Sequence, residues 1–476
     1  MVTFQDLQKL GDNEKARMDF VYNLINKHKS SEEYEQAQIA EEYARQKNRT
    51  IMWYVKMLYT MSGEAVPDNY SANYKLCSNF FYKFVTQEVQ FLLGNGVTWQ
   101  GDAGERLGKD FDSKLQEAGY EALVGGESFG YWNLDHMEVF KLTEFAPLYD
   151  EENSALMAGV RFWQIDEGKP LRATLYEVDG YTEYIWNKRE ENGQVKTVGE
   201  VYHEKRTYKL NVVVSPADGE RIYNGENYPA FPIVPLWGNQ YKQSTLVGLR
   251  SEIDAYDLIR SGFANDVDDA SQIYWTIQNA GGMDDVDLAK FVERIKTVKA
   301  ATVDDDGARA ESHTIDVPYA SREALLTRLR ADMYEDAMAL DTREIAGGAT
   351  TATQIRAAYE PLNSKADYFE YQIGKFLDRL LYVAGIEDEY SFARSTIVNK
   401  SEEISTVLSA AEYLTDDYIT EKVLTILGDG DKVEEILKQI SADELERGGL
   451  IGSGTVYEPT GESVGEENNT GISESV

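Results

Sequence analysis

The sequence contains very little cysteine: Cys77 is the single one in 476 residues. One thiol cannot form a disulfide within the chain, and no group of Cys and His residues has the spacing of a zinc site. No apolar run reaches about 18 residues, the length that spans a bilayer, and the start MVTFQDLQKLGDNEK lacks the basic and apolar parts of a signal peptide. We therefore expect a protein made in the cytoplasm, with no membrane span and no metal or other cofactor.

Positive charge is also scarce. The chain has 47 Lys and Arg residues against 83 Asp and Glu residues, a formal net charge of -36. Because so acidic a chain repels phosphate backbones, the composition argues against tight general binding to DNA. Two interpretations remain open: a surface past which a polyanion moves benefits from weak adhesion, and acidic residues keep a large assembly soluble. The net charge alone favours the interpretation that acidic residues keep a large assembly soluble.

The order of local patterns predicts a mixed α+β chain with two or more structural units, since 476 residues exceed one ordinary core. Residues 1–60 have helical patterns, with a cap-like Ser30–Ser31 pair. Residues 92–228 contain short runs rich in Tyr, Trp, Val and Thr, which predict a sheet region. The proline-rich stretch NGENYPAFPIVPLWGN then predicts a stiff extended linker.

Three amphipathic helices are predicted after this linker. Apolar residues recur every three or four positions in each, and the sets are Leu246, Leu249, Ile253, Tyr256, Ile259, Phe263 and Val267; Leu325, Leu329, Met333, Ala337 and Leu340; and Ile355, Tyr359, Leu362, Ala366, Phe369, Ile373, Phe376 and Leu380. An insert over 272–319 separates the first two helices. Because Pro361 lies inside the third, a kink or break is predicted near residues 357–361.

The uncharged stretch EIAGGATTATQIR, residues 344–356, joins the second helix to the third. It is not a Walker loop, because Ala349 and Thr350 follow the glycines where Lys and Ser/Thr are needed. The acidic turns at residues 304–306, 429 and 431 lack the ligand spacing of a calcium loop, so we interpret them as solvated turns.

The stretch GESFG, residues 126–130, matches the GxSxG pattern of a nucleophile elbow with Ser128 as the nucleophile. An elbow needs a helix after the serine, whereas the following YWNLDHMEVF has the pattern of a strand. We therefore interpret GESFG as a glycine-rich turn between strands. An acidic intracellular hydrolase using Ser128 stays as an alternative, with His136, His203 and His313 as its candidate bases.

Three segments resemble the portal proteins of long-tailed bacteriophages that infect Gram-positive hosts. FPIVPLWGNQ (231–240) followed by STLVGLRSEIDAYDLIR (244–260) resembles the family's IPIVPF-like strand and the helix with an IDAY-like core. LLGNGV (92–97) resembles its YLLGxPV element, and ATTATQIR (349–356) stands where the family has a GxxSGxALK-like run. The resemblance covers roughly residues 48–429. Arg356 stands near where the family often has Lys, so the identity of a cation near the tunnel stays open.

The resemblance implies a multidomain α+β portal fold with a wing, a two-helix stem, a clip, a long kinked helix and a helical crown. The implied divisions are 1–60, N-terminal helices; 61–243, strand-rich wing; 244–270, first stem helix; 271–319, clip; 320–341, second stem helix; 342–353, tunnel loop; 354–385, long kinked helix returning to the wing; and 386–448, crown. Residues 449–476 have no apolar period and are predicted to be a disordered acidic tail.

The resemblance also implies a non-enzymatic function. The chain is expected to form a ring of about twelve copies at the capsid vertex, as a channel for double-stranded DNA packaging and ejection, in the virion after assembly in the host cytoplasm. Expected partners are the large terminase subunit, a head-tail adaptor, and the major capsid and scaffolding proteins, with no membrane. Another capsid or tail structural protein is the remaining alternative.

Three groups of site residues follow from the implied portal fold. The expected DNA-facing tunnel loop contains Gly347, Gly348, Ala349, Thr350 and Thr351. Arg343 and Arg356 flank it and either touch phosphates or pair with Glu344 or nearby Asp residues. The expected contacts of the clip with terminase or adaptor are Lys290, Arg294, Lys296 and Lys299, and Pro361 marks the helix kink.

Overall fold

The fold is given by a computed structural model. It describes residues 2–59, 63–69, 71, 73–191, 194–214, 221–270, 274–278, 309–313, 319–343, 352–394, 400–428, 432–433 and 436–440. The chain divides into two compact units, Met1–Thr396 and Ile397–Val476. The described residues combine helices with antiparallel strands, which confirms the mixed α+β class. The wing, stem, clip and crown divisions stay predictions.

The described helices of the first unit lie before, within and after its strands. Their bounds are α1 Phe4–Gln8, α2 Glu14–Lys29, α3 Glu32–Ala44, α4 Arg49–Trp53, α5 Phe80–Leu93, α6 Ala103–Arg106, α7 Phe111–Gly125, α8 Arg250–Ala270, α9 Tyr319–Asp336 and α10 Ala352–Ala384. Ser31 begins α3 as predicted, because its hydroxyl accepts a hydrogen bond from the backbone N–H of Tyr34 at 3.2 Å. Among the described helices, none combines the length and the apolar character that a bilayer span needs.

The strands of the first unit form antiparallel sheets. Their bounds are β1 Met57–Tyr59, β2 Ala65–Pro67, β3 Val97–Trp99, β4 Glu127–Asn133, β5 His136–Lys141, β6 Phe145–Tyr149, β7 Leu156–Trp163, β8 Leu171–Glu177, β9 Gly180–Glu191, β10 Gln194–Arg206, β11 Lys209–Val214, β12 Arg221–Glu226, β13 Ile233–Trp237, β14 Tyr274–Gln278, β15 Arg309–His313 and β16 Tyr390–Phe392. The larger sheets have the orders β10-β9-β8-β7-β6 and β13-β4-β5, and the remaining pairs are β1-β2, β11-β12, β14-β15 and β16-β3.

Two expectations for the strand-rich region are wrong. Residues 92–228 contain the helix α7, whose apolar residues Phe111, Leu115, Ala118 and Ala122 recur at helical spacing and are buried. The stretch 224–239 is not only a linker, since its residues Ile233–Trp237 form β13 at the edge of a sheet. Prolines are tolerated there because an edge strand leaves every second N–H outside the ladder.

The helices after β13 differ from their predicted extents. The first begins at Arg250 instead of Ser244, because residues 245–249 form turns that already bury Leu246 and Leu249. The second ends at Asp336 instead of Leu340; Met338 has a φ of 50°, which no α-helix continues through. The third runs unbroken through Pro361, so the predicted break is absent and the kink stays a prediction.

The second unit is described in part. Its helices are α11 Lys400–Ser409 and α12 Asp416–Leu427, with a short 3₁₀ turn at Ala411–Tyr413. Gly428 ends α12 in the left-handed conformation, with a φ of 97°, where a glycine is favoured.

Candidate functional site

Most residues predicted to form the tunnel loop and the clip lie outside the described part of the chain. These are Gly347, Gly348, Ala349, Thr350 and Thr351 of the loop, and Lys290, Arg294, Lys296 and Lys299 of the clip. The acidic turns 304–306, 429 and 431 lie outside it as well. Described are both ends of the predicted loop, the helices α8, α9 and α10, and two strands of the insert. Within the described ranges, no three His, Cys, Asp or Glu residues cluster as metal ligands.

Helices α8 and α9 pack side by side and run antiparallel. Arg322, near the start of α9, forms an ion pair with Asp266 near the end of α8. At the other end Glu252 of α8 lies beside Asp336 and Asp332 of α9. Burial, followed by the hydrogen bond and negative charge of Asp336, raises the pKa of Glu252. The two helices are therefore joined by an ion pair at one end, and three carboxyl groups lie close together at the other.

The insert between these helices leaves and returns as one antiparallel pair of strands. In β14 and β15, Tyr274 is opposite His313 and Gln278 is opposite Arg309. This pairing brings the two chain segments together next to the ends of α8 and α9 in the sequence. The chain thus enters residues 279–308 from β14 and leaves them into the paired strand β15. These residues include the predicted clip cations.

Both ends of the predicted tunnel loop pack on the same helix, α5. Phe91 of α5 lies in a buried apolar cluster with Leu340, which precedes the loop, and with Tyr359 and Leu362, which follow it. The Phe91 and Tyr359 rings stack with centroids 5.8 Å apart and an angle of 24° between them. The segment 341–358 therefore starts and finishes at one apolar anchor.

Polar contacts strengthen this anchor. The Gln87 side chain of α5 makes two reciprocal hydrogen bonds with the backbone of Leu340: its Nε2 donates to the Leu340 carbonyl at 3.1 Å, and the Leu340 N–H donates to its Oε1 at 3.0 Å. Lys365 of α10 donates to the Ala337 carbonyl at 3.1 Å and pairs with the buried Glu88 at 2.7 Å. Burial raises the pKa of Glu88, although Lys365 opposes this.

Arg343 and Arg356 are exposed on either side of the loop. The nearby carboxylate of Asp341 is already occupied, since it accepts from Arg330 at 2.7 Å and from the backbone N–H of Arg343 at 3.1 Å. Within the described ranges, neither guanidinium has a carboxylate within ion-pair distance. Pairing with Asp341 is thus not observed, while Glu344 lies outside the described residues, and a contact with phosphate stays a prediction.

A polar face of α8 was missed by the sequence reasoning. The backbone N–H groups of the extended segment Tyr74–Ser78 donate to three buried side chains one helical turn apart, in the order Tyr74 to Asn265 Oδ1 at 2.7 Å, Leu76 to Ser261 Oγ at 3.0 Å and Ser78 to Asp257 Oδ1 at 2.8 Å. Polar residues at i, i+4 and i+8 beside an apolar stripe were the available signal. We call this contact the α8 ladder.

Ser128 is not placed as a nucleophile. Helix α7 ends at Gly125, Gly126 has a φ of 89°, and Ser128 lies in strand β4, so the order is helix, glycine, strand. The expected turn between strands is therefore wrong. The Ser128 side chain is fully buried and its Oγ donates to the Ala118 carbonyl at 2.7 Å. A buried hydroxyl that is already donating to the backbone is not poised for attack on a substrate.

Comparisons with known proteins agree with the portal resemblance. The family described as "Phage portal protein, SPP1 Gp6-like" matches residues 23–444. The portal protein of Clostridium phage phiCD119 is 24% identical over 335 residues, 67% of this chain and 72% of that protein. The portal protein of Bacillus phage SPP1 is 23% identical over 340 residues, 66% of this chain and 63% of that protein.

Among the solved structures with similar chains are gene transfer agent particles. The neck of an empty particle, computed with C6 symmetry, gives a TM-score of 0.42 and 12% identity over 73% of this chain and 90% of that one. The neck of a native particle, computed with C12 symmetry, gives a TM-score of 0.40 and 12% identity over 73% of this chain and 89% of that one. Scores this low carry no argument about assembly. The family match alone covers well over half of the sequence, and the chain therefore belongs to the SPP1 Gp6-like family of phage portal proteins, which are structural proteins and not enzymes.

Proposed function

We propose that copies of this chain form a ring, of about twelve subunits, at one vertex of a phage capsid, and that double-stranded DNA enters and leaves through it. Family membership supports this function. The observation that carries it is the shared anchor on α5: Leu340 before the predicted tunnel loop and Tyr359 after it pack on Phe91. A loop whose two ends are fixed at one place can change its shape without moving the helices that carry it.

The amino acids of the loop suit a constriction that adapts to passing DNA. Gly347 and Gly348 permit backbone conformations that other residues rarely adopt, so the loop can rearrange at low cost. Ala349, Thr350 and Thr351 present small side chains that adhere weakly to a duplex. Arg343 and Arg356 at its ends would supply transient phosphate contacts, which position DNA without reading its sequence.

Charge keeps the DNA from adhering to the ring. The formal charge of -36 per chain gives roughly -430 for twelve copies, a field that repels phosphates instead of collecting them. The antiparallel helices α8 and α9 contribute through the cluster of Glu252, Asp332 and Asp336. DNA would thus slide past a surface that offers few cations. Weak binding is an advantage for a channel and a disadvantage for a DNA-storing protein.

The insert between β14 and β15 is the proposed docking site for proteins outside the capsid. Lys290, Arg294, Lys296 and Lys299 lie in this insert, and they provide positive charge in a chain that is otherwise acidic. The terminase would contact them during packaging and the head-tail adaptor afterwards. Contacts with the capsid and scaffolding proteins would involve other surfaces, and assembly would take place in the host cytoplasm before the chain becomes part of the virion.

The experiment replaces Gly347 and Gly348 by proline in a phage that depends on the variant portal. Proline fixes φ, so rings should form normally while DNA packaging falls sharply. The matched control is Gly347→Ala with Gly348→Ala, which adds two methyl groups without locking the backbone and should package better than the proline variant. Negative-stain images report rings, and nuclease-protected DNA reports packaging. Normal filling of the proline particles would refute the adaptable constriction, and a chain that forms no rings would refute the portal assembly.

A further inference from the structure

A cleft of about 250 Å³ lies between strand β13 and helix α10. Its apolar wall includes Ile233, Pro235 and Trp237 of β13, and its opposite side carries Gln372, Lys375 and Arg379 of α10. The cleft lies away from the predicted tunnel loop along α10, since its α10 residues follow the loop anchor at Tyr359 by several helical turns. The proposed channel function does not use it.

The polar side of this cleft carries two cations that have no carboxylate partner among the described residues. Gln372 is only 7% exposed, yet among the described residues nothing forms a hydrogen bond with its amide. Lys375 and Arg379 are exposed one helical turn apart, and no described carboxylate forms an ion pair with either, although the chain contains 83 acidic residues. An occupant with an apolar side chain and neighbouring carboxylates would complement the apolar wall and both cations.

A peptide strand added to β13 would fit the site poorly. Two backbone hydrogen bonds identify the hydrogen-bonded positions of the β13–β4 pair: the Trp132 N–H donates to the Pro232 carbonyl, and the Gly238 N–H donates to the Gly126 carbonyl. Along an antiparallel pair, hydrogen-bonded positions alternate with positions whose backbone groups point outward. Pro235 is at an outward position, so its backbone nitrogen and carbonyl point away from β4. Proline has no N–H to donate to a further strand. An added strand would therefore lack one hydrogen bond in the middle of β13, which favours an occupant that inserts side chains.

The chain itself carries a matching element, the turn between β7 and β8. Ile165 at this turn is 87% exposed, and Asp166 and Glu167 follow it directly. The turn is held in shape: Gln164 Nε2 donates to the Lys169 carbonyl at 2.8 Å, and the Lys169 N–H donates to the Asp166 carbonyl at 2.9 Å. An apolar residue kept exposed on an ordered turn loses little conformational freedom when it binds.

The turn and the cleft lie at opposite ends of one strand. Leu156, at the start of β7, lines the cleft, and the eight-residue strand ends at Trp163 just before the turn. At about 3.3 Å per residue the two sites are roughly 25 Å apart, so they cannot meet within one copy. Two complementary patches at different places on one chain produce head-to-tail association, which closes into a ring when the rotation between copies permits it.

We propose that the β7–β8 turn of one copy inserts Ile165 into the β13–α10 cleft of the next, with Asp166 and Glu167 beside Lys375 and Arg379. This contact rests on the ring of the proposed function and adds the residues that join its subunits. It also supplies carboxylates to two cations that, in the described part of the single chain, lie over the rings of Tyr371 and Tyr382 and form no ion pair. The charged pairs set which surfaces meet, and the isoleucine supplies the apolar burial.

Charge reversal tests the contact in the full-length chain. Lys375→Glu with Arg379→Glu should raise the concentration at which half of the chains are in rings by about tenfold or more, and Asp166→Lys with Glu167→Lys should do the same. Combining all four changes should restore ring formation in large part. The matched control is Lys27→Glu with Lys83→Glu, which reverses two exposed cations elsewhere and should have little effect. Sedimentation velocity measures the ring fraction.

Cross-linking tests the same contact directly. In a Cys77→Ser background, Ile165→Cys and Ala155→Cys place one thiol on the turn and one in the cleft, and a short bismaleimide should join neighbouring copies into a ladder of covalent multimers. Rings that form and yet give no ladder and ignore the charge reversals would overturn the contact while leaving the ring intact. Protection of the cleft thiol only by another phage protein would also overturn it. Absence of rings in the unmodified protein would refute the proposed function itself.

Discussion

Lys365 of helix α10 forms a 2.7 Å ion pair with Glu88 of helix α5, and the carboxylate of Glu88 is almost completely buried. The same ammonium donates to the Ala337 carbonyl beyond the end of α9. One cation thus joins α10, α5 and the segment that follows α9. Because burial already raises the pKa of Glu88, its charge is tolerated only while this partner is present.

Removing the cation should therefore strongly destabilise the first unit. Lys365→Met leaves a buried, unpaired carboxylate, and we expect a loss of about 3–5 kcal/mol in the free energy of unfolding. The double variant Glu88→Leu, Lys365→Met should recover most of it, since it removes both charges. Urea unfolding followed by tryptophan fluorescence measures the change, with the exposed Lys83→Met as the control. Equal stability of Lys365→Met and the unchanged chain would contradict the buried ion pair.

The α8 ladder leads to a local prediction. Ser261→Ala removes the acceptor for the Leu76 N–H at a buried position, which should cost about 1–3 kcal/mol. Amide exchange of Leu76 and its neighbours should accelerate while exchange in β7 and β8 is unchanged. Ser251→Ala, at an exposed position of the same helix, is the control and should not alter exchange at residues 74–78. If Leu76 exchanged at the same rate in both variants, the ladder would not hold the segment.

Glu127 supports a prediction about pH. Its carboxylate is buried, its Oε1 accepts from Trp237 at 2.8 Å and from the Tyr149 hydroxyl, and burial raises its pKa although the Lys242 charge opposes this. A raised pKa means that the folded state binds the proton more tightly than the unfolded state. Ionisation of Glu127 at neutral pH therefore costs stability, and protonation removes this cost as the pH falls.

Glu127→Gln isolates this effect, because the amide keeps one oxygen to accept both hydrogen bonds. We expect the variant to be the more stable chain at pH 7 and its advantage to shrink as the pH falls through the raised pKa of Glu127 toward the ordinary Glu value of about 4.3. Melting temperatures between pH 7 and pH 5 measure the difference. The exposed Glu105→Gln serves as the control. An advantage that grew on acidification would show that the assigned direction of the pKa shift is wrong.

Strong periodicity made the long helix α10 predictable from sequence. All the predicted apolar positions from Tyr359 to Leu380 are buried, because an uninterrupted alternation of three and four residues fits only one face of a helix. The helix continues through Pro361, since burial of that face outweighs one lost backbone hydrogen bond.

Helix α8 shows where such reasoning fails. Its predicted stripe is buried at Ile253, but Val267 of the same stripe is 53% exposed, whereas the polar residues Ser261 and Asn265 are buried. Their burial depends on the segment Tyr74–Ser78, which is distant in sequence and supplies N–H groups as partners. Hydropathy alone cannot reveal a polar surface whose partner is a remote backbone. The α5 anchor of the loop was missed for the same reason, because its contacts join residues about 250 positions apart.

The last prediction concerns that anchor. Gln87→Ala removes both hydrogen bonds to the Leu340 backbone but leaves the stacked Phe91 and Tyr359 rings in place. The chain should therefore still fold, while the amide of Leu340 loses its acceptor and exchanges faster, by about tenfold for a loss near 1.4 kcal/mol. Gln90→Ala, on the exposed side of the same helix, is the matched control. If the tunnel loop needs a fixed base, Gln87→Ala phage should assemble portals and package less DNA than Gln90→Ala phage; faster exchange with undiminished packaging would show that the loop works without this attachment.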